Sequence, residues 1–291
     1  MKGILFFMLF VASSSYSQGC SDAGFCTSEN MKYGTTVDSL KHTLKFGVNQ
    51  GSADFDISVF GMYLEYKYQV SRKVNLGTRV NYTSQSNDAI SSSAISDGYI
   101  IADYLFNQTV SASIGLKIPF TDGNVKENGF ALPVDLQPSL GTYDLVLGLS
   151  KKYNNLFFSL GYQQPLNKNK NSFFKPLNTN EFFTTNQFKR APDLLLRVGY
   201  NYEINNKWKL SPSLLPIYHL ANDTFEDVTN QEVQINGSKG LTLNASLLVQ
   251  YAFNEKNAFE VNFAAPFIVR DARPEGLTRS YVVNVEYKFR F

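Results

Sequence analysis

A chain of 291 residues with 27 basic and 25 acidic side chains has a formal net charge of +2, without the basic excess that nucleic-acid binding requires. Aromatics make up 14 %, as 17 Tyr and 24 Phe against one Trp, more than an ordinary soluble domain carries. No stretch past the first residues approaches the roughly eighteen consecutive apolar positions of a membrane-spanning helix. A mean hydropathy of −0.20 fits either an exported soluble protein or a membrane barrel with a polar lumen.

Met1–Ser17 reads as a signal peptide: Lys2, the apolar run Ile4–Ala12, then the small-residue stretch Ser13–Ser17, with cleavage after Ser17. A run of nine apolar residues is too short to cross a bilayer as a helix. Segment Gln18–Ser39 follows, and it holds the only two cysteines, Cys20 and Cys26. In an oxidising compartment a local Cys20–Cys26 disulfide is the favoured reading. A lipid on Cys20 lacks the Leu or Val expected three residues upstream, where Ser17 stands. A soft metal on Cys20, Asp22 and Cys26 would have no His among its ligands.

From residue 40 the apolar period is two, and twelve strands can be placed. Strand one is Leu40–Asn49, strand two Ile57–Val70, strand three Val74–Thr83, strand four Tyr99–Phe106 and strand five Val110–Ile118. In strand two, Phe60, Met62, Leu64, Tyr66 and Tyr68 oppose Glu65 and Lys67; in strand five, Val110, Ala112, Ile114, Leu116 and Ile118 oppose Ser111, Ser113, Gly115 and Lys117. Strand four is less regular, because Ile101 and Leu105 share the face of Asp103. Strands six (Tyr143–Lys152), seven (Leu156–Gln163), eight (Leu194–Ile204), nine (Trp208–Leu220), ten (Leu241–Phe253) and eleven (Phe259–Val269) repeat the pattern. Strand twelve, Arg279–Phe291, puts Tyr281, Val283, Val285, Tyr287, Phe289 and Phe291 on one face and Asn284, Glu286, Lys288 and Arg290 on the other. Tilted strands of about ten residues cross the roughly 25 Å apolar band of an outer membrane.

Connections after even strands are short, as in Ser71-Arg72-Lys73, Asn107-Gln108, Asn154-Asn155, Asn205-Asn206 and Asn254-Glu255-Lys256. Most after odd strands are long and polar: Ser84–Gly98, Thr121–Thr142, Pro165–Asp193 and Ala221–Gly240. Short periplasmic turns and long external loops distinguish membrane barrels, so this sorting predicts an all-β, transmembrane antiparallel up-and-down barrel with both termini in the periplasm. Tyr66, Tyr68, Tyr104, Phe106, Tyr202, Trp208, Tyr251, Phe253, Tyr287 and Phe289 then fall on the outward face at one interface, where amphipathic rings favour the headgroup level. The closing aromatic strand resembles the C-terminal strand of bacterial outer-membrane barrels, whose final Phe, here Phe291, is read by the insertion machinery.

The inward face predicts a lumen lined by both signs: Lys41, Lys45, Glu65, Lys67, Arg79, Asp103, Lys117, Asp144, Arg197, Glu203, Glu260, Glu286, Lys288 and Arg290. Such a mixture implies a wet, ion-paired interior with weak charge preference rather than a single-sign filter. The bland alternative is a narrow barrel that these residues merely fill. Pro212, Pro216 and Pro266 interrupt strands nine and eleven, predicting a bulge, a kink or an early end to pairing near the external rim. A kink at Pro212 and Pro216 would offer an apolar solute a side window. Hydrolysis needs a base beside a nucleophile, but only His42 and His219 exist, and both fall at strand ends with no hydroxyl two residues on. No phosphate loop, zinc signature or calcium loop is present, so no cofactor is expected.

Ser111–Leu166 carries a family resemblance. Gly115-Leu116-Lys117-Ile118-Pro119, Leu132-Pro133, Leu136-Gln137, Gly141, Asp144, Leu147-Gly148-Leu149 and Gln164-Pro165-Leu166 occur in order. This resembles the outer-membrane channel family named for the meta-pathway of phenol degradation, relatives of the fatty-acid channels. The match covers about a fifth of the chain, and Phe120-Thr121-Asp122-Gly123 stands where the family has a glycine directly after the proline. The resemblance implies uptake of hydrophobic or small organic solutes and transfers no catalytic residue.

The sequence therefore predicts passive uptake of small, apolar or amphipathic organic molecules by a bacterial outer-membrane channel in contact with lipid and lipopolysaccharide. The second reading is a non-conducting barrel whose external loops bind a partner, and the third an outer-membrane lipid hydrolase. Gln18–Ser39 is expected in the periplasm or folded into the lumen as a partial plug.

Overall fold

The computed structural model describes residues 31–32, 40–176, 182–275 and 279–291. Twelve long strands close into one antiparallel ring. They are β1 (His42–Ala53), β2 (Ser58–Gln69), β3 (Val74–Ser86), β4 (Ser91–Leu105), β5 (Val110–Pro119), β6 (Asp144–Tyr153), β7 (Leu156–Pro165), β8 (Asp193–Tyr200, continued at Tyr202–Glu203), β9 (Trp208–His219), β10 (Gly240–Ala252), β11 (Asn257–Ile268) and β12 (Arg279–Arg290). Each strand pairs with the next, and β12 pairs with β1. The seam is finished by reciprocal backbone bonds of 3.0 Å between His42 and Phe291. Closure gives every one of these twelve strands a partner on both sides, the condition for β-structure in hydrocarbon.

The outer surface is apolar where the period of two places it. Leu64, Ile100, Ile114, Leu149, Leu160, Leu196, Leu214 and Leu247 are exposed, whereas inward neighbours such as Glu65, Ser113, Ser150, Ser159 and Arg197 are buried. The rings also cluster at the end where β1 begins and β12 ends. His42 stacks on Tyr68 and Phe291 at 5.0 and 5.1 Å between centroids, and Trp208 lies 4.7 Å from Tyr251. The turns at this end repeat one local device. The Asn107 side chain accepts from the amides of Thr109 and Val110, Asn205 from Lys207 and Trp208, and Asn254 from Lys256 and Asn257, all within 3.0 Å. An Asn that satisfies its own turn explains the short polar connections.

The opposite end departs from the sequence reading in one place. Ser84–Gly98 is not a loop: β3 and β4 continue as a hairpin to a turn at Asn87–Ile90, past a register shift between Val80 and Tyr82. Serines and alanines there hide the alternation, because their apolar contrast is small. The other long connections fold inward. Residues 132–142 are buried, and Leu132 and Leu136 pack against Ala53, Ile57 and Val59 on the inner wall. Ser139 donates to Asp97 at 2.7 Å, and Gln137 is held by Val125 and Leu132. Asn171, from the loop after β7, donates to Gly123 and Leu132 carbonyls at 2.9 and 3.0 Å. Lys189 then exchanges backbone bonds with Thr224, which opens a hairpin, Thr224–Glu226 with Glu232–Gln234, in the loop after β9. Three loops thus interlock across this mouth.

The prolines act differently from one another. Pro212 and Pro216 produce neither bulge nor register shift. β9 keeps a continuous ladder to β10, and only its ladder to β8 is missing at the rungs beside the two prolines. A lost donor on one side costs those rungs and leaves the strand path intact. Pro266 sits beside a register shift between β10 and β11 and beyond the last β11–β12 pair, Ala264 with Val282.

Candidate functional site

The lumen has two unlike walls. On β12, β1, β2 and β3 charged side chains gather on the inward face. Lys45 Nζ lies 3.2 Å from Glu65 and 3.5 Å from Glu286, and Arg79 stands 3.9 Å from Glu65. Tyr63 lies flat on this wall: its hydroxyl donates to Glu286, Asn284 donates to it at 3.2 Å, and the Arg79 guanidinium rests 3.5 Å above its ring. The residue opposite Tyr63 is Gly47, and a Cβ there would come within 2.1 Å of the ring. Ions out of water cost several kcal/mol each unless paired and hydrogen-bonded, which is why these groups form a connected network.

A second charged patch spans β4 to β7. Ser113 donates to Asp103, Lys117 pairs with Asp144 at 3.1 Å, and Asp144 also accepts from Thr142 and Gln163 at 2.7 and 2.6 Å.

On β6, β8 and β9 a greasy patch lies among polar inward residues such as Ser150, Arg197, Asn201 and Ser211. Val146 on β6, Leu195 on β8, and Leu215 and Ile217 on β9 point inward and form one buried cluster. Phe157 on β7 and Leu248 on β10 are also buried. The cluster includes Met31, from the segment before the barrel. A Cβ on Gly148 would lie 2.2 Å from the Met31 methyl, so this glycine makes room for it. The next residue, Lys32, reaches the other wall: its ammonium sits 3.6 Å from Glu260 and 3.5 Å from Glu286. Two consecutive residues thus bridge the lumen.

At the loop mouth a buried polar cluster ties the connections together. His219 gives one ring nitrogen to Asp193 at 2.6 Å and the other to Asp223 at 2.8 Å. Asp223 also accepts from the Ala191 amide, Arg190 pairs with Asp193 at 2.5 Å, Arg270 pairs with Glu275, and Arg273 with Asp54 at 2.7 Å. Burial pushes the Asp135 carboxyl up to about 8, and the nearby charges of Glu275 and Asp54 add to that. Burial acts on Glu275 too, but Arg270 and then Arg190 overcome it and hold its carboxyl below the usual range. With both ring nitrogens engaged by carboxylates and no exposed surface, His219 is a structural tie rather than a base facing a substrate. His42 lies on the outer surface with Nδ1 2.7 Å from the Tyr66 hydroxyl. The two histidines act at opposite ends.

The structure places Lys45, Glu65, Lys67, Asp103, Lys117, Asp144, Arg197, Glu260, Glu286 and Lys288 buried inside the ring. Arg79 and Arg290 are half-buried, whereas Lys41 and Glu203 are exposed at the terminal rim, beyond the point where the lumen closes around them. Pro212 and Pro216 face outward on β9. Cys20 and Cys26, and the signal-peptide reading of Met1–Ser17, lie outside the described residues. Sequence reading missed Tyr63, which shares the inward parity of Glu65. It also missed the greasy patch, although Val146, Leu195, Leu215 and Ile217 all stand at inward positions of an otherwise alternating pattern.

No protein-family model matches the sequence, and no curated protein matches it. Among solved structures, a crystal structure of the COG4313 outer membrane channel from Pseudomonas putida F1 is similar, with a TM-score of 0.60 at 12 % identity. The match covers 88 % of this chain and 97 % of that one. The CymD monoaromatic hydrocarbon channel gives a TM-score of 0.48 at 11 % identity, over 96 % of this chain and 94 % of that one. The fold is a closed twelve-stranded antiparallel β-barrel, shared with that outer-membrane channel.

Proposed function

We propose that this chain is an outer-membrane channel for passive uptake of small apolar or amphipathic organic solutes. The end where β1 begins and β12 ends faces the periplasm and the interlocked loops face outward. The observation that carries this reading is the two-sided lumen, a greasy patch of Val146, Leu195, Leu215 and Ile217 facing an ion-paired wall around Lys45, Glu65 and Glu286. A solute with one apolar and one polar side can slide along both at once without desolvating its polar groups into hydrocarbon. COG4313 and CymD are named as channels, in keeping with this role. The motif run Gly115–Pro119, Asp144 and Leu147-Gly148-Leu149 supports the more specific resemblance to the meta-pathway family. In this reading Phe291 is the recognition residue for the insertion machinery, and lipid and lipopolysaccharide cover the outer face.

The test is a permeation assay with purified full-length protein. In planar bilayers the protein should conduct, and liposomes that contain it should swell faster in small amphipathic solutes than in sugars of equal size. The interlocked loops and the Met31–Lys32 bridge favour one rival, a barrel that conducts nothing and presents its loops to a partner. No conductance and no swelling, from protein shown to be folded by its heat-modifiable migration, would establish the rival instead.

A further inference from the structure

Resting on that channel reading, we propose that the end of the lumen where β1 begins and β12 ends is a cationic vestibule. The solute it favours is an organic anion, a small apolar body bearing a carboxylate.

The lumen as a whole carries both signs, but the strands do not spread them evenly. At the loop mouth the buried cations stand beside carboxylates: Arg190 with Asp193, Arg270 with Glu275, and His219 between Asp193 and Asp223. The opposite end has no such balance. Lys41 precedes β1, Arg72 and Lys73 form the turn after β2, Lys207 stands in the turn before β9 and Lys256 in the turn before β11, and all are exposed. On the inward faces of the strands that end here come Lys152, Lys209 and Arg290, half-buried, and Lys288, buried. The side-chain carboxylates among these turns and strand ends are Glu203, Glu255 and Asp103, and Asp103 already accepts from Ser113.

These charges share one space. β6 and β12 stand on opposite sides of the ring with β9 midway. Yet Lys152 on β6 and Lys288 on β12 both act electrostatically on Lys209 on β9, as do Glu203 and Glu260. Several of these ammonium groups have carboxylate neighbours, and what draws an anion is the excess of one sign. A cleft with low-dielectric walls focuses that excess and concentrates the counter-ion. Rings of Lys and Arg make pores for anions in the same way.

The rest of the path supplies the apolar half of the solute. Along the inward face of β6, Val146 is followed by Gly148, Ser150 and Lys152. Along β9, Leu215 is followed toward the same end by Ser213, Ser211 and Lys209. Each run covers roughly 20 Å of strand, so a small solute meets its two ends in sequence. Moving toward this end, it leaves the greasy patch, crosses hydroxyls and then meets ammonium groups. An apolar amine gains at the patch and is repelled at the vestibule, whereas an apolar acid gains at both.

Planar bilayers holding the full-length protein under a potassium chloride gradient read the sign of this selectivity. Chloride should pass about threefold more readily than potassium at low salt, and the preference should shrink near 1 M, where the Debye length is about 3 Å. The triple variant Lys152→Gln, Lys207→Gln, Lys256→Gln should bring the two permeabilities close together, whereas Lys152→Arg, Lys207→Arg, Lys256→Arg should keep them apart. Heat-modifiable migration shows that both variants are folded barrels. Calorimetry in detergent should find benzoate bound about fivefold tighter than benzylammonium by the parent, with that lead lost in the glutamine triple. Potassium passing as readily as chloride, or a preference unmoved in the folded glutamine triple, overturns the vestibule and leaves the channel. No conductance, with a benzoate preference that the glutamine triple loses, retains the vestibule and removes the channel. No conductance and no benzoate preference removes both.

Discussion

The two walls of the lumen are built from the same alternating strands, yet they stand on different physics. The charged wall on β12–β3 is a network in which each member serves several others. Glu286 alone receives Lys32, Lys45 and the Tyr63 hydroxyl. The greasy patch on β6, β8 and β9 is held by additive packing around Met31. A network fails as a unit when a shared member goes, because partners are left charged and unpaired. A packed patch loses only what was removed, plus the cavity left behind.

The largest effect should therefore come from Glu286→Ala. Removing the shared acceptor takes one carboxylate at once from Lys45, Lys32 and the Tyr63 hydroxyl in a buried setting, an expected loss of about 3–5 kcal/mol. Urea unfolding in detergent micelles, followed by tryptophan emission from Trp208, measures it. A loss under about 1 kcal/mol would mean that water reaches this wall freely, and the contrast between the walls would break.

Leu195→Ala on the greasy patch should cost less, roughly 2–3 kcal/mol at the lower end of the range for buried Leu, since the lumen is able to relax around Met31. It should also be additive with Tyr63→Phe, because the two residues share no partner. Tyr63→Phe removes one hydrogen bond to a charged carboxylate, worth about 1.5–2 kcal/mol, while Arg79 keeps its place over the ring. The double variant Tyr63→Phe with Arg79→Ala should be non-additive. Strict additivity would show that hydroxyl and ring act separately and that the wall is not one network.

Much of this was legible before any coordinates. Alternation and Asn-bearing turns located all twelve strands, since a period of two and a side chain that caps its own turn are both local signals. The charged wall was legible for the same reason: Glu65, Lys67 and Glu286 stand against apolar neighbours within one strand. The Ser84–Gly98 hairpin was not legible, because serine and alanine carry no facial contrast. Nor was the greasy patch, because Val146, Leu195, Leu215 and Ile217 come from three strands and nothing local announces that they meet. The His219–Asp193–Asp223 tie was hidden for another reason. Its members come from two strand ends and a loop, and nothing local announces that these meet.

The smallest effect concerns the interlocked loops alone and extends the contrast from the two walls to the mouth above them. Asp135 is buried with its carboxyl raised to about 8, by desolvation first and by Glu275 and Asp54 after it. A carboxyl whose folded value lies above its unfolded value of 3.8 binds more protons in the folded loop between those limits. Loop stability is therefore full below about pH 4, falls as pH rises toward 8, and is flat above that. Amide exchange of residues 132–142 should accelerate across this window after correction for intrinsic rates, while the strands keep their protection, because Asp135 touches no membrane-spanning strand charge in the shifts that raise it. Asp135→Asn keeps the size and removes the titration, so its loop protection should stay level from pH 5 to pH 9. A parallel fall in the variant would assign the pH response to the Asp223 tie instead, whose carboxyl burial also raises against the pull of His219.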